Sequence, residues 1–367
     1  MSSLKVEVVE IDNIEDHPNA DRLEIAKIAG WTCVVRKGEF KAGDKVVYIP
    51  IDAILSPDVE TKLFPAESKV KLSRSRVKTI KLRGAISQGV VVSLSELDLA
   101  ETLPVGTDVA GVLGITKYEP LEASQPNNTK GNVISPKKGN PAFHKYTDIE
   151  NFKHYNQLFE PGEMVYVTEK LHGTSARYGW LPTVANTWWK KTKRFFGLLP
   201  RYEFCLGSRN VQLQDRKYSG FYPTDVYSKI AKDLDLKYRL IYEGQNLSIY
   251  GEIVGGGIQK NYTYGLSPSE HEFYAYDISI NGKYLDPIAF RQICGCIGVK
   301  TVPLLYIGPY SQEKMKELCA GDSVIGGQKI REGIVIKPIR ETTCYIGRKV
   351  LKYLNDQYLL SDPTDFH

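Results

Sequence analysis

Five side chains suited to phosphoryl transfer are spread over the second half of the sequence. Lys170 ends a strand-like run and precedes a glycine turn. Glu252 and Glu332 stand at the end and the start of two further strand-like runs, and Lys337 and Lys352 follow. A deprotonated lysine amine is a nucleophile, and neighbouring cations disfavour its charged form. Carboxylates can hold a metal ion against phosphate oxygens, so the set is suited to attack on a nucleotide phosphorus.

Two more segments could bind the nucleotide itself. Arg209 lies among turn residues, and Phe273–Asp277 is an aromatic strand whose rings offer a surface for a base. Base stacking of this kind contributes about 1–3 kcal/mol. Taken in order, these segments resemble the motif set of the covalent nucleotidyltransferase superfamily, which includes polynucleotide ligases and mRNA capping enzymes. The resemblance rests above all on E-K-L-H-G-T at 169–174 and E-G-I-V-I-K at 332–337, and it covers essentially the whole second half of the chain.

The resemblance implies a role for each matching position. Lys170 would be the nucleophile that forms a lysyl-adenylate with ATP. Tyr276 would stack on adenine, with Tyr274 as the alternative on the same strand face. Glu252 and Glu332 would hold Mg²⁺ or Mn²⁺, which hard oxygen ligands suit. The other nucleotide-binding positions implied in this way are Glu169, Arg209, Lys337 and Lys352.

Some positions depart from the commoner motifs. His172 replaces the aspartate of K-x-D-G, as in some RNA ligase branches, and this leaves the metal to the two glutamates. Leu354 stands where many RNA ligases have the second lysine of K-x-K, so Lys352 is the main candidate there and Lys349 its partner. Further candidates are Ser175, where one phage RNA ligase branch has a functional asparagine, and Lys145 and Lys153, which could contact the triphosphate.

The elements that must position these residues differ between the two parts of the chain. Residues 1–118 contain short alternating strands with turns between them, which predicts a small β-barrel. The run from Ile14 to Leu23 resembles the tRNA-binding OB-fold of some aminoacyl-tRNA synthetase subunits. Turn-rich residues 119–142 predict a linker. Residues 143–367 mix strands and helices, so the predicted fold class is α+β, with an N-terminal OB-fold followed by an antiparallel-sheet nucleotidyltransferase domain.

Two basic segments each allow two interpretations. Seven cations between Lys69 and Arg83 stand at near-alternate positions, which would place several on one strand face, either solvated or in contact with RNA. Residues 181–201 interleave aromatic and basic side chains around Trp188 and Trp189. They could clamp RNA by stacking and charge. The favoured alternative is an amphipathic insertion whose aromatic side chains pack on the domain.

The order of the domains selects a branch of the superfamily. Only 15 residues follow Lys352, which leaves no room for the C-terminal OB-fold of capping enzymes and most ATP-dependent DNA ligases. An OB-like domain placed first resembles ATP-dependent RNA ligases found in Deinococcus and Naegleria. The activity implied is joining of a 3′-hydroxyl to a 5′-phosphate, at nicks with an RNA 3′-hydroxyl strand. A GTP-dependent RNA guanylyltransferase and a non-enzymatic RNA-binding protein remain alternatives.

Composition excludes several other classes of protein. The chain has 367 residues with 42% hydrophobic and 25% charged, which is typical of globular proteins rather than disordered ones. Its net charge of +5 permits a polyanionic partner such as RNA without requiring one. We find no apolar run of about 18 residues, no signal peptide and no zinc-type spacing among six cysteines. We therefore expect a soluble, intracellular monomer with reduced thiols and no membrane partner.

Overall fold

The computed structural model describes residues 4–68, 71–118, 139–185, 187–213, 225–243, 246–259 and 261–361. They form two compact units. The first contains residues up to 118, Glu150–Asn156 and the chain from Asp356 onward, and the second contains 139–149 and Gln157–Asn355. The predicted linker lies outside the described residues as far as residue 138. The division into residues 1–118, 119–142 and 143–367 therefore stays a prediction.

Antiparallel pairing of short strands dominates both units. The strands, in chain order, are β1 (Glu7–Glu10), β2 (Asn13–Asp16), β3 (Leu23–Ile28), β4 (Trp31–Arg36), β5 (Lys45–Ile49), β6 (Ala53–Ile54), β7 (Thr79–Leu82), β8 (Ala85–Gln88), β9 (Val90–Ser93), β10 (Thr116–Lys117), β11 (Glu150–Asn151), β12 (Met164–Lys170), β13 (Thr174–Pro182), β14 (Tyr202–Ser208), β15 (Gln212–Leu213), β16 (Leu247–Gly255), β17 (His271–Ile280), β18 (Lys283–Tyr284), β19 (Leu304–Pro309), β20 (Gly333–Pro338), β21 (Thr343–Cys344), β22 (Gly347–Arg348) and β23 (Leu351–Leu354).

The helices are short and lie between the strands. They are α1 (Pro57–Leu63), α2 (Ala110–Leu113), α3 (Trp188–Phe195), α4 (Val226–Asp233), α5 (Leu236–Glu243), α6 (Pro287–Cys296), α7 (Gln312–Cys319) and α8 (Asp356–Leu360), with 3₁₀ turns at Ser95–Leu97 and Phe152–His154. Within the described part of the chain, every helix is too short or too polar to span a bilayer.

In the first unit, alternating side chains build a core between small sheets. The strands pair in the orders β1-β5-β9 and β2-β3-β4, with β7-β8 and β6-β10 as separate pairs. A two-residue turn at Ala29 and Gly30 joins β3 to β4, and both residues have positive φ, which a tight hairpin of this kind requires. Trp31 on β4 and Tyr48 on β5 are buried and in contact, with ring centroids 6.0 Å apart.

The basic stretch of the first unit is not one strand face. Lys69 lies outside the described residues, and only Lys81 of the predicted set falls within β7. Arg74 and its neighbour Ser75 have positive φ and form a turn, which breaks the alternation that the sequence suggested. Arg76 is buried, donates to Asp52 Oδ1 over 2.7 Å and lies over the Tyr118 ring. The predicted alignment of these cations on one face is therefore wrong.

The second unit is built on two antiparallel sheets. One has the strand order β15-β14-β13-β16-β17-β18, and the other contains β23, β20, β12 and β19 in that order. Helices α4, α5 and α6 contribute side chains such as Ile230, Leu240 and Phe290 to a core that includes Ile249 of β16. Burial of this apolar surface, at roughly 25 cal/mol per Å², holds the larger sheet in place. Two sheets with helices on one face fit the predicted α+β class.

The aromatic and basic insertion forms α3, between β13 and β14. Thr187 caps the helix, because its hydroxyl accepts a hydrogen bond from Lys190 N. No residue of α3 is buried, and Trp188 and Trp189 are 67% and 70% exposed. The helix is amphipathic as predicted, but the expectation that its aromatic side chains pack on the domain is wrong.

Candidate active site

The turn that follows Lys170 requires glycine at position 173. Strand β12 ends at Lys170 and β13 begins four residues later. At Gly173 an added Cβ would lie 2.2 Å from the Ile253 carbonyl oxygen and 2.9 Å from Glu252 Cγ. The backbone of β16 therefore approaches this turn more closely than any side chain would allow.

Hydrogen bonds from a distant loop hold the same turn. The hydroxyl of Tyr264 accepts from His172 N over 2.7 Å, and Gln259 Nε2 donates to the Gly173 carbonyl over 2.8 Å. His172 is itself buried, with its ring edge-on to Tyr262. His172 thus lies in the turn beside the lysine, and its neighbours there are aromatic side chains.

Lys170 and Glu332 form an ion pair. Gly333 lies opposite Lys170 in the register of β12 and β20, which brings Glu332 beside the lysine. The Lys170 ammonium donates to Glu332 Oε1 over 2.6 Å, and the lysine side chain keeps 28% exposure while the carboxylate keeps 4%. Burial raises the pKa of Glu332, and the positive charge of Lys170 opposes that shift. Glu332 Oε2 is buried and has no hydrogen-bond partner within the described residues.

Glu252 supplies a second carboxylate to the same place. It lies between Ser175 of β13 and Tyr274 of β17 in the sheet register, and its Oε1 accepts from Gly173 N over 3.2 Å. Burial raises the pKa of Glu252 to about 8, and the charge of Lys170 opposes this while that of Glu332 adds to it. Two desolvated carboxylates thus compete for one lysine, which favours a further cation at this position.

The two glutamates fit a divalent metal ion such as Mg²⁺ or Mn²⁺. The described ranges contain no group of three or more His, Cys, Asp or Glu side chains that could hold a metal by themselves. Mg²⁺ is commonly held by one or two carboxylates together with waters and substrate phosphates. The buried Glu332 Oε2 is available as a ligand, and a cation beside Glu252 would favour its ionised form.

A β-bulge places Tyr276 at this site. The register of β16 and β17 shifts between Tyr250 opposite Asp277 and Gly251 opposite Ala275, so Tyr276 is the additional residue. Its hydroxyl lies 2.9 Å from Ser175 Oγ, and its ring remains half-buried. Ser175, Tyr274 and Tyr276 therefore all lie on or beside the strand positions that flank Glu252.

Tyr274, the alternative stacking residue, is more enclosed than Tyr276. It is buried, its hydroxyl bonds to Glu272 on its own strand, and Lys300 lies 5.7 Å from its ring centroid. Burial raises the pKa of both tyrosines, so each keeps its phenol proton. The preference for Tyr276 as the stacking residue stays a prediction.

Behind Tyr276 lies a buried charge network that the sequence did not reveal. Asp277 Oδ2 accepts from Lys337 Nζ at 2.9 Å, Arg348 NH2 at 2.9 Å and the Tyr146 hydroxyl at 2.8 Å. Lys337 also donates to the Tyr276 carbonyl over 2.8 Å. Although burial raises the pKa of Asp277, the two cations hold it below its ordinary value. Burial lowers the pKa of Lys337.

Two other predicted residues, Arg209 and Lys352, interact electrostatically with the two glutamates. Arg209, just past the end of β14, is paired with Asp148 and lowers the pKa of Glu252. Lys352 on β23 lies opposite Val335 and lowers the pKa of Glu332. Together with Lys170 they surround the two carboxylates with positive charge, as phosphate binding requires.

Four predicted side chains lie elsewhere. Glu169 points to the opposite face of β12 from Lys170, where it accepts from Val324 N over 3.0 Å. Lys349 is paired with Glu163 at 2.7 Å. Lys153 belongs to the first unit, where it is buried and donates to Gln88 and Asp356, and Lys145 is exposed. The Lys153 ammonium is thus committed to structural partners.

The fold and this site together define a protein of the covalent nucleotidyltransferase class with an OB-fold in front. A model of an OB-fold domain matches residues 5–94, which confirms the predicted N-terminal fold. The phenylalanine–tRNA ligase beta subunit of Hahella chejuensis is 32% identical over an alignment of 120 residues, and the match covers 29% of this chain and 13% of that subunit. The chain thus spans only a small part of this relative.

A model of the RNA ligase family matches residues 163–354, just over half of the chain. The chain belongs to the RNA ligase family. The sequence-based identification as an RNA ligase and the α+β class are thereby confirmed, and these matches do not favour the alternatives of a guanylyltransferase or a non-enzymatic binding protein.

Solved structures of the Naegleria gruberi RNA ligase are similar to almost the whole chain. A lysine-to-alanine variant with ATP and Mn has a TM-score of 0.74 and 26% identity, covering 97% of this chain and 98% of that one. The enzyme with PPi has a TM-score of 0.72 at 26% identity with the same coverage. A lysine-to-methionine variant with AMP and Mn has a TM-score of 0.72 and 25% identity, covering 96% and 97%.

Proposed function

We propose that this chain is an ATP-dependent RNA ligase that joins a 3′-hydroxyl to a 5′-phosphate through a lysyl-adenylate. The observation that carries the proposal is the position of the Lys170 amine, 2.6 Å from Glu332 and electrostatically coupled to Glu252. The similar Naegleria gruberi structures with ATP, AMP and PPi support ATP as the nucleotide. We further propose that the enzyme acts as a monomer inside the cell.

In the first step, Lys170 Nζ attacks the α-phosphorus of ATP. An N–P bond forms, the bond to the bridging oxygen breaks, and pyrophosphate leaves. The amine must lose its proton for this attack, and Glu332 Oε1 is within hydrogen-bond distance to accept it. Arg209 and Lys352 bring positive charge to the phosphate oxygens, which is the main contribution that a protein makes to phosphoryl transfer. Lys337 is bonded to Asp277 and to the Tyr276 carbonyl, so it would contribute to nucleotide binding through the strand that carries Tyr276.

The second and third steps transfer AMP and seal the strand. An oxygen of the RNA 5′-phosphate attacks the adenylate phosphorus, the N–P bond breaks, and Lys170 regains its proton. The 3′-hydroxyl then attacks the activated 5′-phosphate, a phosphodiester bond forms, and the P–O bond to AMP breaks, so that AMP leaves with the electron pair and the hydroxyl proton passes to water. We propose nicks with an RNA 3′-hydroxyl strand as the substrate.

Glu252 and Glu332 would hold a Mg²⁺ or Mn²⁺ ion, which neutralises developing charge on phosphate oxygens when it is bound. Tyr276 would orient adenine by stacking, with its hydroxyl held by Ser175. Residues 1–118 would bind the RNA as an OB-fold and residues 143–367 would carry out the chemistry, with 119–142 linking them.

The test is label transfer from α-labelled ATP or GTP to the pure protein in the presence of Mg²⁺ or Mn²⁺. We expect label from ATP but not from GTP on the unaltered chain, stable to denaturing electrophoresis and alkali and released by acid as for a phosphoramidate, and none on Lys170→Ala. Lys349→Ala is a matched control, because its ammonium is paired with Glu163 away from the carboxylates. Labelling of Lys170→Ala, or labelling from GTP alone, would overturn the proposal.

A further inference from the structure

Helix α3 presents a mostly aromatic face to solvent, in which Thr192 is the one polar residue. At about 100° per residue, Trp188, Trp189, Phe195 and the C-cap Phe196 fall within an arc of roughly 120°. Their exposed fractions are 67%, 70%, 85% and 67%. The rings pair edge to face with each other, with centroids 4.8 Å apart for the tryptophans and 5.3 Å for the phenylalanines. Such an apolar layer on an exposed helix is typical of an interaction surface.

The opposite face of α3 attaches the helix to the domain. Lys190 Nζ donates to the Val184 carbonyl over 3.4 Å, and Arg194 NH2 donates to the Thr183 carbonyl over 2.5 Å. Both cations point back to the chain that leaves β13, so the aromatic face must point away from it. These bonds set the orientation of the helix without covering any of its apolar surface.

Two more cations border the aromatic face. Lys191 and Lys193 are exposed and lie about 40° outside its two edges on the helical wheel. Residues 181–201 contain five Lys or Arg and no Asp or Glu. Aromatic side chains on one face with lysines along its borders form the pattern of a helix that lies in the headgroup region of a membrane.

We propose that α3 binds an anionic lipid surface, with its aromatic face in the headgroup region and Lys191 and Lys193 against the lipid phosphates. RNA fits the arrangement less well, because single-strand binding combines stacking rings with a positively charged groove that follows the backbone, whereas α3 is a single exposed helix with no buried residue. The helix also follows the far end of β13, roughly 25 Å along the strand from Thr174. Binding of this kind requires no spanning segment, and it departs from the sequence-based expectation that the protein has no membrane partner.

The test uses the full chain and unilamellar vesicles of phosphatidylcholine, either alone or with about 30% phosphatidylserine. We expect co-sedimentation with the anionic vesicles only, weakened by salt. Tryptophan emission should shift to the blue on binding, because Trp188 and Trp189 are exposed whereas Trp31 is buried and Trp180 is half-buried. Lys191→Ala with Lys193→Ala should weaken binding about fivefold for each lysine removed.

Replacing the four aromatic residues of α3 by serine should abolish vesicle binding and leave label transfer to Lys170 unchanged, since none of them is buried. The matched control replaces Tyr238 and Tyr345, which are 64% and 80% exposed, by serine and should bind as the unaltered chain does. Absence of binding to anionic vesicles, or full binding by the serine variant, would overturn the proposal. Loss of affinity for a nicked RNA duplex in that variant, without vesicle binding by the unaltered chain, would instead assign α3 to RNA.

Discussion

At the scale of single residues, the balance of charge around Lys170 controls the chemistry. One ammonium faces two desolvated carboxylates, and it is bonded to only one of them. The second carboxylate therefore has a strong preference for a proton or a metal ion. The same group that would help to hold the metal must consequently reduce the stability of the metal-free protein.

Replacing Glu252 by Gln tests this conflict. Because burial raises its pKa to about 8, the folded protein holds a proton here that the unfolded chain releases near its ordinary value of 4.5. The ionisation of Glu252 therefore lowers the free energy of unfolding progressively as pH rises from about 4.5, and this loss is complete above the folded pKa of about 8. We expect Glu252→Gln to have a melting temperature above that of the unaltered chain, with a difference that is larger at about pH 9 than at about pH 6.

Thermal melts without metal at these two pH values give the comparison, and Glu313→Gln, on the exposed face of α7, is the control. The same variant should lose metal-dependent label transfer. A melting difference of equal size at both pH values would contradict the assigned ionisation.

At the scale of elements, the site depends on close approach between β12, β13 and β16. The turn after Lys170 is narrow because β16 packs directly on Gly173. The bulge in β17 adds a residue beside that same strand, and it brings Tyr276 next to Ser175. Small changes in backbone position should therefore impair catalysis before they unfold the domain.

Gly173→Ala should reduce label transfer by at least about 100-fold, because a Cβ 2.2 Å from the Ile253 oxygen must displace the lysine turn. Gly295→Ala is the matched control. It lies in α6 with no atom within 4 Å of an added Cβ, so it should stabilise the protein by about 0.5–1 kcal/mol. Single-turnover labelling and urea unfolding measure the two effects. Equal activity of the two variants would show that the turn tolerates displacement.

Arg348→Met should weaken the network around Asp277. Without the Arg348 guanidinium, the buried Asp277 carboxylate keeps Lys337 and Tyr146 as its hydrogen-bond partners among the described residues. Removing one partner of a buried charge network costs about 3 kcal/mol. Urea unfolding should detect this loss, and Arg340→Met, at an exposed position, should leave stability unchanged. If both variants unfold at the same urea concentration, the network contributes little.

Sequence patterns predicted the local elements well. Residues 312–319 have a helical pattern in the sequence and form α7, and residues 164–168 have a strand pattern and form the greater part of β12. Both succeed because burial with a period of 3.6 or 2 is a local property. The motif also selected Lys170, Glu252 and Glu332, which lie at the end of β12, within β16 and just before β20, and the structure brings them together. Their roles stay predictions.

Contacts between distant positions could not be predicted in this way. Arg348 and Tyr146 meet Asp277 across 71 and 131 positions, and no spacing rule connects them. The prediction that the basic residues between Lys69 and Arg83 share one strand face is wrong because Arg74 and Ser75 form a turn with positive φ, which neither residue type favours. The orientation of α3 depends on two carbonyl groups of the chain that leads into it, so its aromatic side chains were wrongly expected to be buried.

At the scale of the whole molecule, the first unit is assembled from three separate parts of the chain. Asp356 of α8 accepts from Gln88 Nε2 at 3.0 Å and from Lys153 Nζ at 3.1 Å, and Lys153 also lies 4.8 Å from the Trp31 ring centroid. Residues from all three parts thus surround one buried ammonium. The unit cannot complete this contact from its N-terminal part alone.

Asp356→Ala should destabilise the first unit by about 1–2 kcal/mol, because Lys153 keeps only Gln88 as its side-chain hydrogen-bond partner among the described residues. Label transfer to Lys170 should persist, since Lys170 belongs to the second unit. Trp31 is the one tryptophan of the first unit, so its fluorescence through urea unfolding, in a chain with Trp180, Trp188 and Trp189 replaced by Phe, reports on that unit. The control is Asp322→Ala on an exposed loop. Loss of labelling with unchanged unfolding would be the contrary result.

Because the first unit is made of three separate parts of the chain, it can be completed only late in translation. Asp356 is translated 268 residues after Gln88, which is a delay of roughly 13 to 54 seconds at about 5 to 20 residues per second. Throughout that interval Lys153, once synthesised, lacks its carboxylate partner. The first unit to begin emerging from the exit tunnel is therefore among the last to be completed, and a nascent chain stalled before α8 should be the form most exposed to chaperones and proteases.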